Sequence, residues 1–367
     1  MSLVKPHRLL LLAPAALVLA FGVAGCGDST DDAKQTTGTT SAAARAADVP
    51  DLASGTHEQA VSVGLPSVVA VSVSTGGETR NGTGTLLASG LVATDAALVT
   101  TAAGAPAAGV TVREGNGEEH AGVVDGIDAL SGLAAVRVRD LSAVPVAKTA
   151  KEPAVLGQPV VALGFLSSRR PAMRPGTVLT TGRAARGEGL AEVGLFEASA
   201  PLGAQGLGGP LVNLQGQVVG ISTRRLEAMS PGAAVGLPVA SAVRIVKALG
   251  EAGRVRRAYL GIETVGLSPT RVKELDLTTS TGVLLRAIAP GSPAAFSTLR
   301  PPTGTTSIGG RSIPTGGDVI VQLDGKQITE PEDIDAALAT MQPGKRVTMK
   351  VIRGQESVDV KATLNER

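Results

Sequence analysis

The chain has 367 residues, too many for one ordinary core and enough for two or three domains. Hydrophobic residues make up 43%, so a core can form, but with no Trp, one Tyr and four Phe it must be filled by Val, Leu, Ala and Ile. The formal net charge is +2, and without Lys5 and Arg8 of the leading segment basic and acidic residues balance. No basic stripe with interleaved aromatics is present, which argues against nucleic-acid binding. The 47 Gly and 22 Pro predict many turns and few long helices. Cys26 is the only cysteine, so no internal disulfide forms. His7, His57 and His120 are far apart and lack Cys or His partners at ligand spacing, so neither a metal nor a cofactor is expected.

The front end reads as an address. Lys5, His7 and Arg8 precede an apolar run over residues 9–25, as in a secretory signal. As a helix this run would span roughly 25 Å, short of a bilayer core. It ends Val23-Ala24-Gly25-Cys26, which resembles a bacterial lipobox. That resemblance implies cleavage before Cys26, lipidation of Cys26, and a membrane-anchored protein on the extracytoplasmic face. Residues 1–25 are then a lipoprotein signal and 26–58 a polar tether with no apolar period, ending near an exposed His57.

From residue 59 the texture changes to short apolar segments separated by Gly and Asp turns. Examples are SVVAVSV (67–73), GTLLASGLVAT (84–94), PVVALGF (159–165) and PLVNLQGQVVGIST (210–223). Repeated short strands predict antiparallel barrels or a sandwich. Val239, Ala242, Val243, Val246 and Leu249 recur at helical steps, and Gly250 and Gly253 supply stops, so a helix closes this body near 253. NGTGTLLASGLVATDAALVTTA (81–102), GQPVVALGF (157–165), GGPLVNLQGQVVGIST (208–223) and VGLPVASAVRIVKAL (235–249) then occur in an order that resembles the HtrA/Deg group of trypsin-like serine proteases. The resemblance implies an all-β fold of two six-stranded antiparallel barrels over residues 59–253.

Serine-protease chemistry needs a hydroxyl nucleophile, an imidazole base and an orienting carboxylate. At the matching positions the chain has Ala97 in Thr94-Asp95-Ala96-Ala97-Leu98-Val99 and Gly132 in the segment Asp128 to Ala134. Leu207, in Gln205-Gly206-Leu207-Gly208-Gly209-Pro210, stands at the nucleophile's place. The glycines permit the tight turn of an oxyanion hole, but Gln205 replaces a usual glycine. We expect Leu207 to be buried and to fill the old cleft.

After a short basic segment, read as a solvated linker, residues 257–365 resemble a bacterial PDZ domain of α+β type. Tyr259-Leu260-Gly261-Ile262 matches its carboxylate-binding loop, and TGVLLRAIAPGSPAAF (281–296) and GGRSIPTGGDVIVQLDGKQI (309–328) match its body. ITEPEDIDAALATM reads as a helix with Thr329 as N-cap. The resemblance implies a groove that takes an extended peptide or a protein C-terminus as an added strand, with Leu260, Ile262, Ile334 and Leu338 lining it. STLRPPTGTTS after Phe296 departs from the family's short turn.

Together these features predict a protein without enzyme activity, an envelope scaffold or chaperone-like adaptor working through its PDZ domain. Two alternatives stand beside it. One is an active serine-type endopeptidase of envelope quality control. The other is a regulatory partner of an active protease homologue.

Overall fold

The computed structural model describes residues 54–367 apart from 76, 142, 168, 188–189 and 225–229. Cys26, the leading segment and most of the tether lie outside the described residues. The first element is a helix that the sequence reading did not anticipate, α1 (His57–Gly64). Thr56 caps it by accepting from the Gln59 amide at 3.1 Å, and His57 on its first turn is exposed.

Six strands follow: β1 (Val68–Thr75), β2 (Glu78–Ala88), β3 (Leu91–Asp95), β4 (Val110–Arg113), β5 (Glu119–Asp128) and β6 (Leu133–Val138). They close into an antiparallel barrel in the order β1-β2-β3-β6-β5-β4. Its interior is aliphatic, with Val69, Val71, Val92, Val112 and Val136 fully buried. Branched side chains suit the pleat and replace the aromatics that the composition lacks.

A second ring holds β7 (Pro159–Ser167), β8 (Arg170–Gly187), β9 (Leu190–Ala198), β10 (Pro210–Val212), β11 (Val218–Thr223) and β12 (Ala234–Pro238). Its order is β10-β11-β12-β9-β8-β7, and β10 pairs back with β7. The strands β10 and β11 are joined at Leu214-Gln215-Gly216, where Gly216 has φ +77°, a value that favours glycine. The helix α2 (Val239–Ala252) then lies with Val239, Ala242, Ile245, Val246 and Leu249 buried against the two rings. It ends at Gly253 in the left-handed conformation, while Gly250 stays inside it, close against Leu91.

The C-terminal part is α+β. It contains β13 (Ala258–Tyr259), β14 (Ile262–Gly266), α3 (Pro269–Glu274), β15 (Val283–Ile288), β16 (Gly304–Ile308), β17 (Arg311–Thr315) and β18 (Val319–Leu323). Then come β19 (Lys326–Gln327), α4 (Pro331–Ala339), β20 (Arg346–Arg353), β21 (Glu356–Thr363) and β22 (Asn365–Glu366). The main sheet runs β14-β15-β18-β20-β21, so β14 is an edge strand. The departing stretch after Phe296 leads into a separate two-stranded hairpin, β16–β17. The N-cap of α4 is Glu330 rather than Thr329. Both the Thr329 hydroxyl and the Glu330 amide donate to the Asp333 carboxylate, at 2.7 and 3.0 Å, a capping-box arrangement shifted by one residue.

Candidate functional site

The segments carrying Ala97, Gly132 and Leu207 meet at the junction of the two rings. The Ala96 amide donates to the Gly132 carbonyl at 2.8 Å. A Cβ on Gly208 would fall 2.7 Å from Thr94 Cα, so the Leu207 turn lies directly on the end of β3. Threonines of β2 stitch the contact. Thr83 Oγ1 donates to the Gln205 carbonyl at 2.7 Å, and Thr85 Oγ1 donates to the Gly208 carbonyl at 2.9 Å.

Each of the three positions has its own surroundings. Gly132 is buried, with φ +75°. Ala97 is exposed beside a cavity of about 1030 Å³, and Arg80 donates to its carbonyl at 2.9 Å. Leu207 does not fill the cleft as expected. It is half-buried and lines a separate cavity of about 310 Å³ with Ser222 and Arg224. The reason is local. Residues 204–206 form a tight 3-10 turn that leaves Leu207 in extended backbone at its end. In that turn the Leu207 amide donates to the Ala204 carbonyl at 3.4 Å and the Gly206 amide to the Gly203 carbonyl at 3.1 Å. Both amides are therefore engaged inside the turn. Asp95, on β3, is buried beside Arg224, whose Nε lies 3.3 Å from its Oδ1. Burial pushes the Asp95 carboxyl up, and the Arg224 guanidinium opposes it.

The second region lies between β14 and α4. A cavity of about 470 Å³ is lined by Ile262 and Thr264 of β14 and by Ile334 of α4. Tyr259 and Leu260 are buried, and Leu260 is part of the hydrophobic core. Gly261 has φ +81°, and a Cβ there would meet Ser292 at 2.1 Å, so this loop requires glycine. Leu338 faces elsewhere, lining a small recess with Leu190 and Ala191 of β9. Of the six residues expected around the groove, Ile262 and Ile334 line the cavity together.

The β8–β9 hairpin supplies another wall of that cavity through Arg186 and Leu190. Arg186 pairs with Glu332 at 2.9 Å and Asp335 at 2.7 Å on α4. Its side chain is 49% exposed, so the pairing contributes at most about 1 kcal/mol. Arg257 is a different case and corrects the reading of its segment as a solvated linker. Its side chain is 11% exposed and reaches Asp128 at 2.7 Å and Glu192 at 3.0 Å. Burial by itself would raise the Asp128 carboxyl, but the hydrogen bonds from Arg257 outweigh it and hold that group below its ordinary range. The network leaves no local signal in the sequence, because Arg257 lies 129 and 65 positions from Asp128 and Glu192.

Residues 82–221 match the model for a trypsin-like peptidase domain, and residues 258–364 match that for a PDZ domain. The fold and the two matches therefore define a trypsin-like domain followed by a PDZ domain. The chain is 30% identical over 266 residues to a putative serine protease HhoB of Synechocystis, covering 69% of this chain and 62% of that one. It is 26% identical to a probable periplasmic serine endoprotease DegP-like of Hahella chejuensis, covering 66% of this chain and 48% of that one. The chain thus spans about half to three-fifths of the length of these relatives. The solved HtrA-type protease AlgW with tripeptide superposes with TM-score 0.70 at 23% identity, over 84% of this chain and 97% of that one. That likeness establishes the fold.

The chain thus carries a trypsin-like peptidase domain and a C-terminal PDZ domain, and in sequence it is similar to HtrA/Deg-like serine proteases. The comparisons also correct the expectation of a protein without enzyme activity. The relatives are consistently named serine proteases or endoproteases, and those names favour the serine-type endopeptidase over the scaffold.

Proposed function

We propose that this protein captures extended peptide segments or protein C-termini between β14 and α4, outside the cytoplasmic membrane. The observation that carries this reading is the unpaired edge of β14, set beside a cavity with Ile262 and Ile334 in its wall. An added strand would gain backbone hydrogen bonds along that edge, and an apolar side chain would enter the cavity. The extracytoplasmic location agrees with the periplasmic relative, and lipidated Cys26 would hold the protein to the membrane by way of the tether. The two domains would divide near residues 253–257.

For the barrels, the relatives' names favour a serine-type endopeptidase of envelope quality control. Ala97, Gly132 and Leu207 supply no proton-transfer group, so hydrolysis would need a hydroxyl elsewhere. Ser222, which lines the same cavity as Leu207, is one candidate. The purified full chain, treated with a fluorophosphonate probe and assayed for casein cleavage, tests this. Labelling and peptide release that both vanish in Ser222→Ala are the results the peptidase reading predicts. No labelling and no release would remove the peptidase reading while leaving peptide capture to its own test. That test is a pull-down from a peptide library with free or amidated C-termini, in which enrichment of apolar-ended free termini is expected. A partnership with an active homologue would show as co-purification that survives saturation of the groove with peptide.

A further inference from the structure

We propose that the end of the β4–β5 hairpin is a binding site for a divalent transition cation of the zinc type, with Glu114, Glu118 and His120 as its ligands. The register of the hairpin brings these donors together. Val112 pairs with His120 and Arg113 with Glu119. One step further, the Glu114 amide donates to the Glu118 carbonyl at 2.9 Å. Side chains alternate across a strand, so Glu114, Glu118 and His120 share one face while Arg113 and Glu119 pair on the other.

The loop that holds them is fixed. The Gly117 amide closes the turn onto the Glu114 carbonyl at 3.0 Å, and Gly117 has φ +94°. Asn116 donates to Glu114 Oε2 at 3.2 Å and accepts from the Glu118 amide at 2.8 Å. Glu114 Oε2 is thereby oriented by a neighbour, as outer partners orient the ligands of a metal.

The decisive geometry is at His120. Its Nε2 is 3.0 Å from Glu114 Oε1 and 4.0 Å from Glu118 Oε1. At 3.0 Å a hydrogen bond would be expected, yet this buried nitrogen has no hydrogen-bond partner. Close approach without alignment is the relation of two ligands on one ion. With bonds of roughly 2.0–2.1 Å, neighbouring ligands lie roughly 3 Å apart. The Glu114 side chain is 3% exposed and that of His120 12%, whereas Glu118 is 62% exposed and free to swing inward. Among the described residues this is the one group of three His, Cys, Asp or Glu donors with ligand atoms all within 4.8 Å of one another. Water from the solvent side would complete a four-coordinate shell. Glu114 also lines an apolar cavity of about 520 Å³ beside α1, so an ion here would pin the hairpin end next to that helix.

The test is calorimetric titration of zinc chloride into the full chain in detergent after removal of metal with a chelator. One equivalent is expected to bind at micromolar affinity or tighter and to raise the melting temperature. Glu118→Gln, at an exposed position that leaves the fold intact, is expected to weaken binding at least about tenfold. His120→Ala is expected to abolish it, and His57→Ala to leave it unchanged. X-ray absorption of the zinc-loaded protein should show only nitrogen and oxygen ligands. Absence of saturable binding, equal affinity in Glu118→Gln, or a sulfur ligand would each overturn the proposal.

Discussion

Arg257→Ala is expected to destabilise the protein by about 3–5 kcal/mol. The substitution would strand the buried Asp128 carboxylate and leave the buried Glu192 with only the half-exposed Arg244, at 3.4 Å. Removing one partner of a buried pair costs more than the pair contributes, because the remaining charge is stranded. Chemical denaturation of the two proteins at neutral pH checks this. Arg186→Ala is the control, and its half-exposed pairing should cost at most about 1 kcal/mol. A loss for Arg257→Ala no larger than for Arg186→Ala would contradict the argument. The same network sets an acid limit. The folded protein holds Asp128 below its unfolded value of 3.8, so its stabilisation is present above that pH. It is lost as pH falls through the depressed folded value. In Arg257→Ala this part of the acid limb should disappear.

Gly208→Ala is expected to cost about 2–5 kcal/mol, combining left-handed backbone with overpacking. Gly208 has φ +83°, and an added Cβ would lie 2.5 Å from the Thr83 carbonyl oxygen and 2.9 Å from the Asp95 amide nitrogen. Both are backbone atoms of strands in the first barrel, so neither can swing aside. Gly203 provides the comparison. Its φ is +71°, but a Cβ there would meet nothing within 4 Å. Gly203→Ala should therefore cost only the backbone part, about 1–3 kcal/mol, since φ +71° with ψ −168° is a region nearly confined to glycine. Equal losses for the two variants in denaturant melts would show that the close approach of the Leu207 turn to β3 is not what holds the cleft together.

The strand-rich body and its closing helix were legible because their signals are local. Val239, Ala242, Val246 and Leu249 repeat at helical spacing, and Gly216 and Gly253 punctuate the chain where positive φ is needed. The residues at the three aligned cleft positions could also be read in order along the chain. What they do in space could not. Leu207 is apolar, which suggested burial, but its turn leaves it half-exposed beside a cavity. Leu338 has the right spacing for a groove residue, yet that face of α4 is taken by Leu190 and Ala191 of the distant β9. Arg257 looks like part of a solvated basic run because the carboxylates that neutralise it are far away in sequence. The hairpin donors were missed for another reason. Glu114 and Glu118 look like ordinary surface carboxylates in the sequence, and only strand register shows that they share a face with His120.

Peptide capture at β14 is tested most directly by fluorescence anisotropy. A labelled peptide enriched from the library would be titrated with the full chain, with Ile262→Glu, and with the same peptide carrying a C-terminal amide. Ile262 is half-buried in the cavity wall, so the glutamate should keep the fold while placing a charge where the apolar side chain enters. Saturable binding that weakens at least about tenfold in Ile262→Glu, and again with the amidated peptide, is the predicted result. Binding that is unchanged by Ile262→Glu would place the ligand elsewhere and contradict the proposal.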